Sequence, residues 1–349
     1  MIVAAGVAAP AGVIIQETED SGTMYKREPL PSYAGPRTFL RSRYAEFDQL
    51  REGMVAVVGV PWDTTLGSRP GTRYGPQAIR DSSMHLHYYM TTSSTNELVD
   101  INTGEIYSQR AGDRLVDLGD VNVYQADVEK TRQSIHEAVA AIVRAGAFPV
   151  ILGGDHYITF PAFTGFASAL AERRSTRIGY LQLDAHFDLA PGSPIFGRHF
   201  HGSNARLAME SGLAKPENFV WIGVRGYARR EQYEFVQSSG ASFFSFQDVR
   251  KMGIRRAVEE GLARATDGAD LLYLTIDIDV VDPTLAPGTG AIAFGGITPM
   301  ELLEAIEALK QAPVGAIDLV EVAPQWDPSG VTERLAAVAL LNFIGRKLA

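Results

Sequence analysis

Leu271-Leu272-Tyr273-Leu274-Thr275-Ile276-Asp277-Ile278-Asp279-Val280-Val281-Asp282-Pro283 is the stretch that decides the fold. It opens on a nearly continuous apolar run, as expected of a strand in a parallel sheet covered on both faces. At the strand's end Asp277 and Asp279 stand two residues apart, a spacing that sends both side chains out of the same face. Two carboxylates side by side at the end of a core strand repel each other and resist desolvation unless a cation holds them. Taken alone, the pair also fits a strand that closes in a polar turn, where aspartate is common.

Two further stretches repeat the pattern. Residues 178–183 form an apolar run that leads straight into Asp184-Ala185-His186-Phe187-Asp188. Residues 149–152 lead into Gly153-Gly154-Asp155-His156. Three strands therefore deliver acids or a histidine at their carboxyl ends, the edge where open α/β sheets bind ligands.

Around these strands the pattern alternates. Strand runs at 55–60, 115–118, 219–224, 241–246 and 314–320 are interleaved with helical periodicity at 128–143, 159–173, 229–238, 255–265, 300–310 and 331–346. Such alternation predicts an α/β fold with a mostly parallel sheet and right-handed crossovers. Gly75-Pro76 starts another helix, with proline in its first turn. The Gly- and Pro-rich loop 61–76 is long for a plain connection and reads as a pocket wall. Residues 91–113 read as a polar surface excursion. Residues 1–50 read as an extension and 51–349 as a single catalytic domain.

Composition narrows the function. With 46% hydrophobic and 21% charged residues among 349, the chain has an ordinary globular make-up and enough apolar material for a large core. The formal net charge of -9 and pI near 5.3 argue against nucleic acid and suit a small cationic substrate. Cysteine is absent, which removes disulfides, thiolate zinc sites and a cysteine nucleophile. Any ion must be held by imidazole and carboxylate, which suits manganese or iron, with nickel also open. The apolar runs fall short of the roughly 20 residues of a membrane span. Residues 1–15 are apolar but lack a basic start and carry Pro10, so a cytoplasmic chain is expected. That segment reads equally as an arm packed on a neighbouring subunit.

His156, Asp184, His186, Asp188, Asp277 and Asp279 are the candidate metal ligands. Four carboxylates and two imidazoles exceed what one divalent ion needs. Two ions about 3.5–4 Å apart, sharing carboxylates and a water whose pKa they lower towards neutrality, suit the set. The chemistry this favours is hydrolysis at an electron-poor carbon or phosphorus.

These three motifs, in this order and spacing over residues 54–345, resemble the signatures of the ureohydrolase family of arginase, agmatinase and guanidinobutyrase. The run Arg69-Pro70-Gly71-Thr72-Arg73-Tyr74-Gly75-Pro76 resembles the agmatinase branch. The resemblance implies a three-layer α/β/α fold and trimers or hexamers. It implies one divalent ion, manganese or nickel, on His156, Asp184, Asp188 and Asp277, and a second on Asp184, His186, Asp277 and Asp279. Asp188 would also orient the attacking water. His201 would be the mobile proton carrier, and Glu321 the acid that grips the guanidinium. The implied reaction splits a guanidino carbon–nitrogen bond to urea and an amine.

The chain departs from agmatinases in two substrate-facing loops. His201-Gly202-Ser203-Asn204-Ala205-Arg206 replaces a Thr-Pro-Phe continuation, and Pro324-Gln325-Trp326-Asp327 replaces Pro-Pro-Tyr-Asp. Trp326 would shorten the pocket or stack on a planar cation. Guanidine, an alkylguanidine or a biguanide, with nickel, therefore competes with agmatine. A supporting subunit of a hetero-oligomer is a second reading, against which the complete ligand set counts. Hydrolysis of formiminoglutamate or of an acetyl-amine is a third, against which Glu321 counts. Asp155 and Asp282 read as turn residues or as partners that orient ligands, His85 and His87 as structural or at a subunit contact, and His136 as solvated. His199 is the alternative to His201, and Glu321 also fits a plain strand-end acid.

Overall fold

The computed structural model describes residues 31–91, 97–108, 114–173 and 176–348. Its strands are β1 (Arg43–Tyr44), β2 (Val55–Val60), β3 (Glu97–Val99), β4 (Ile106–Ser108), β5 (Leu115–Asp120), β6 (Phe148–Gly153), β7 (Ile178–Leu183), β8 (Phe219–Val224), β9 (Ser242–Ser245), β10 (Leu271–Asp277) and β11 (Val314–Val320). Its helices are α1 (Gly75–Thr91), α2 (Val128–Arg144), α3 (Thr159–Arg173), α4 (Asn204–Glu210), α5 (Arg230–Ser239), α6 (Phe246–Met252), α7 (Ile254–Ala265), α8 (Pro299–Leu309) and α9 (Val331–Leu348).

Among the described residues, nine strands make one sheet in the order β1-β5-β2-β6-β11-β10-β7-β8-β9, every neighbouring pair parallel. The antiparallel hairpin of β3 and β4 stands apart, within the stretch read as a surface excursion. The central strands are apolar on both sides because both sides are covered. Val55 and Val57 of β2 join the core under α1 and α6 to α9, while Ala56, Val58 and Val60 join the core under α2 to α5. The chain is thus the three-layer α/β/α protein expected.

Register sets the site. Ile276 of β10 pairs with Leu183 of β7 and Leu319 of β11, and Leu319 pairs with Leu152 of β6. Four central strands therefore end level, and the residues that follow them meet at one edge.

Residues 1–30, most of the expected extension, lie outside the described residues. Its remainder packs on the domain. Phe39 and Leu40 are core residues, and Phe39 N donates to Asp117 Oδ2 at 2.7 Å. The same carboxylate takes Arg80 of α1 through Nε at 2.9 Å.

Three expectations need correction. Strand β10 stops at Asp277, and Ile278–Val280 is a 3₁₀ turn, so strand alternation is not what aims Asp279. The turn is fixed by the Asp277 carboxylate accepting the Asp279 N–H at 2.8 Å. His136 is half-buried between helices, Nδ1 3.0 Å from Thr164 Oγ1 of α3, and not a solvated residue. Helix α6 takes over from the expected strand 241–246 at Phe246, because Ser245 and Asp248 form a reciprocal capping box.

Candidate active site

The Gly153-Gly154 turn after β6 is built for contact. A Cβ on Gly154 would lie 2.2 Å from Trp62 O and 2.6 Å from Val60 O, so only glycine lets β2 and β6 close there. Gly154 O in turn accepts Glu321 N at 2.9 Å, and Glu321 Oε1 accepts His156 N at 2.8 Å. The loops after β6 and β11 therefore hold each other, with His156 and Glu321 side by side.

His156 is fully buried. Its Nδ1 faces Asp188 Oδ2 at 3.0 Å, Asp184 Oδ2 at 3.1 Å and Asp277 Oδ2 at 3.2 Å. Its Nε2 lies 3.0 Å from Thr275 Oγ1. With the Nε2 hydrogen on Thr275, Nδ1 presents a lone pair to three carboxylate oxygens, an arrangement stable only around a cation. The second group is His186, whose Nδ1 stands 3.0 Å from Asp279 Oδ2 and 3.5 Å from Asp184 Oδ1. Two clusters with ligand atoms within 4.8 Å of one another result: His156, Asp184 and Asp277, and Asp184, His186 and Asp279. Asp184 belongs to both, and Asp188 abuts the first.

The residues fit a pair of divalent ions by the state of their polar atoms. Buried His156 Nδ1, Asp279 Oδ2 and Glu321 Oε2 have no hydrogen-bond partner, although most buried polar atoms in folded proteins do. Burial disfavours a charged His156, yet the carboxylates of Asp184, Asp188 and Asp277 lift its proton affinity well above the usual histidine range. Burial, together with the Asp279 and Asp184 charges, pushes Asp277 well up.

Surrounding groups orient this set. Gln182 Nε2 donates to Asp184 Oδ2 at 2.6 Å. Ala185 N donates to Asp279 Oδ1 at 3.1 Å. Asn204 Nδ2 donates to Asp188 Oδ2 at 2.7 Å. Arg225, which follows β8, donates to the carbonyls of Asp279 at 2.6 Å, Val280 at 3.1 Å and Ala293 at 3.0 Å, while its N–H donates to Ala185 O at 2.9 Å. It ties two ligand-bearing loops together. Sequence reading missed Gln182, Asn204 and Arg225: Gln182 lies within β7 and Arg225 directly follows β8, but Asn204 opens α4, far from any strand end.

The pocket beside the ligands holds Glu321 and His201. Glu321 is 1% exposed at φ +64°, and Asp188 sits at φ +53°, both in the left-handed region that non-glycine residues avoid. Burial, then the charges of Asp277 and Asp155, drives Glu321 well above the usual carboxylate range. His201 Nδ1 is 3.7 Å from Glu321 Oε1, and burial lowers its pKa to about 4. His199 is turned away, with Nδ1 2.9 Å from the Tyr157 hydroxyl. Beyond β11, Trp326 Nε1 donates to Pro70 O at 2.9 Å while Arg69 stacks 4.6 Å over its ring. The cation on that ring is thus the chain's own. Asp155 caps the His156 turn, accepting Tyr157 N at 3.1 Å, and burial raises its pKa to about 7. Asp282 accepts Thr284 N at 2.9 Å at the surface.

Fold and site together define a class: a three-layer α/β protein with paired cation pockets at the carboxyl edge of a parallel sheet. Residues 54–345 match the model of the arginase family. The chain is 34% identical over 295 residues to mitochondrial guanidino acid hydrolase of Homo sapiens, spanning 84% of this chain and 78% of that protein. It is 34% identical over 299 residues to mitochondrial agmatinase of Gallus gallus, spanning 84% and 81%. The solved structure of proclavaminate amidino hydrolase from Streptomyces clavuligerus superposes with a TM-score of 0.79 at 28% identity, covering 91% of this chain and 99% of that one. The chain belongs to the arginase family, hydrolases of amidino carbon–nitrogen bonds.

Proposed function

We propose that this protein hydrolyses the carbon–nitrogen bond of a small guanidino compound, releasing urea and an amine. The observation that carries the reading is Glu321 Oε2. It is a buried carboxylate oxygen without a hydrogen-bond partner, on a residue whose other oxygen is already taken by His156 N. A planar cation with two N–H groups is the natural partner for such an acid.

His156, Asp184, Asp188 and Asp277 would hold one divalent ion, manganese or nickel, and Asp184, His186, Asp277 and Asp279 the other. Bound there, the pair supplies Lewis acidity and a water acidic enough to attack at neutral pH. Glu321 anchors the guanidinium so that its carbon faces that water. Asp188 orients the water. His201, held neutral at pH 7 by burial, is free to accept the proton released in the attack and pass it to the leaving nitrogen. The products are urea and a protonated amine.

Agmatine and the guanidino acids named by the relatives are one substrate set. Guanidine, alkylguanidines and biguanides are the other, a reading that rests on the two loops, 201–206 and 324–327, that depart from the agmatinase pattern. The test is urea release across both sets, on apoprotein reloaded separately with manganese and with nickel. Urea from at least one compound is expected. Ion-loaded protein silent on all of them, alone and with a homologous chain added, would sink the proposal.

A further inference from the structure

The turn carrying His201 runs directly into α4, whose first residue is Asn204. Asn204 is fully buried. Its Nδ2 donates to Asp188 Oδ2 at 2.7 Å and to the His201 carbonyl at 3.0 Å. Its Oδ1 faces the Tyr180 hydroxyl at 3.4 Å. The opposite amide orientation would set an oxygen against a carboxylate and a carbonyl, so the contacts fix the donor's direction. Helix α4 also holds the Asp188 backbone, with Arg206 N donating to Asp188 O at 3.3 Å. This matters because Asp188 lies at φ +53°, a conformation that persists only where surroundings enforce it.

We propose that Asn204 is a positioning residue that joins Asp188 and the His201 turn into one rigid unit. The inference rests on the reading of Asp188 as an ion ligand and His201 as the proton carrier. Asp188 Oδ2 serves two partners, since it also lies 3.0 Å from His156 Nδ1. The amide hydrogen occupies one side of that oxygen and leaves the other aimed into the cation pocket. The same nitrogen holds the His201 carbonyl, so displacement of the histidine turn pulls on the ligand.

The test compares the full-length chain with Asn204→Leu, which keeps the volume and removes the donor, and Asn204→Ala, which removes both. Manganese is titrated calorimetrically into metal-free protein, with far-UV circular dichroism as the check on folding. Loss of an outer partner of a metal ligand costs about 10–100-fold in affinity. That loss is expected for one of the two ions in both variants. Where urea is released, kcat is expected to fall by a similar factor while KM stays within about threefold. Asn204→Leu binding manganese like the unaltered chain, with only Asn204→Ala impaired, would reduce Asn204 to packing and overturn the proposal. So would wild-type affinity in both. Should Asn204→Leu not fold, Asn204→Ala with unchanged affinity overturns it alone. The titration stands whether or not any guanidino compound is hydrolysed, so failure of that reading shows separately.

Discussion

His156 concentrates the chemistry of the site, with one ring nitrogen on Thr275 and the other aimed at three carboxylates. Asp279 does the same for the His186 side. Replacing it, as Asp279→Ala, is expected to leave the circular dichroism spectrum intact, to lower bound manganese from two ions per chain to one by elemental analysis, and to abolish urea release. His201→Ala should act otherwise: both ions stay bound and kcat falls by about 10²–10⁴-fold, the usual worth of a positioned acid–base group. Steady-state urea assays read that difference. The six candidate ligands and Glu321 were legible because each follows an apolar run at a strand's carboxyl end, whereas His201 stands far along the loop after β7 and was picked out only through the family resemblance. Arg225, Asn204 and Gln182 were not, because an arginine, an asparagine and a glutamine carry no spacing pattern, and their contacts come from elements distant in the chain. Trp326 was read as facing substrate, and the cation found over its ring in the structure is Arg69, far away in sequence.

At the scale of elements, two polar clamps hold peripheral pieces to the sheet. Asp117 in β5 accepts from Arg80 of α1 and from Phe39 N, with Arg80 and Asp117 both buried. Asp117→Ala leaves that guanidinium with Asp120 as its one carboxylate and the Gly119 carbonyl, and breaking a buried pair costs about 3–5 kcal/mol. A fall in thermal midpoint and detachment of residues 39–44, seen as faster amide exchange, are expected. Lys310, beside Glu105 and Glu307, likewise pins the loop between β3 and β4 to the end of α8. Helices α2, α3, α7 and α8 were visible in the sequence through their apolar spacing. Helices α4 and α6 were not, since seven residues give barely two turns of periodicity and each starts against the element before it.

Across the whole molecule, the acids and histidines of the site make stability depend on ions and on pH. Without ions, His156 and His186 are held protonated: burial opposes this, but the surrounding carboxylates prevail. Their folded pKa values exceed the unfolded value of about 6.5, so the stability they contribute is complete below that pH and is lost as pH rises through the folded values. The thermal midpoint of metal-free protein should therefore fall as pH is raised above about 6.5, whereas ion-loaded protein should show little of that slope. Differential scanning calorimetry in paired buffers, with and without chelator, measures it; a metal-free protein that grows more stable with rising pH would contradict it. The sheet itself was the most legible feature, because its interior strands are apolar on both faces. Its register, which brings β6, β7, β10 and β11 to a common edge, was not written in any one segment.

Asp188 and Glu321 both occupy backbone conformations that glycine would accept without penalty. Selection for heat tolerance alone would therefore drift towards glycine at these two places, and the hardier descendants would have lost the very acids that give the pocket its purpose. Durability and catalysis pull against each other here at two identifiable codons, and a breeder of sturdier variants would do well to hold both constant.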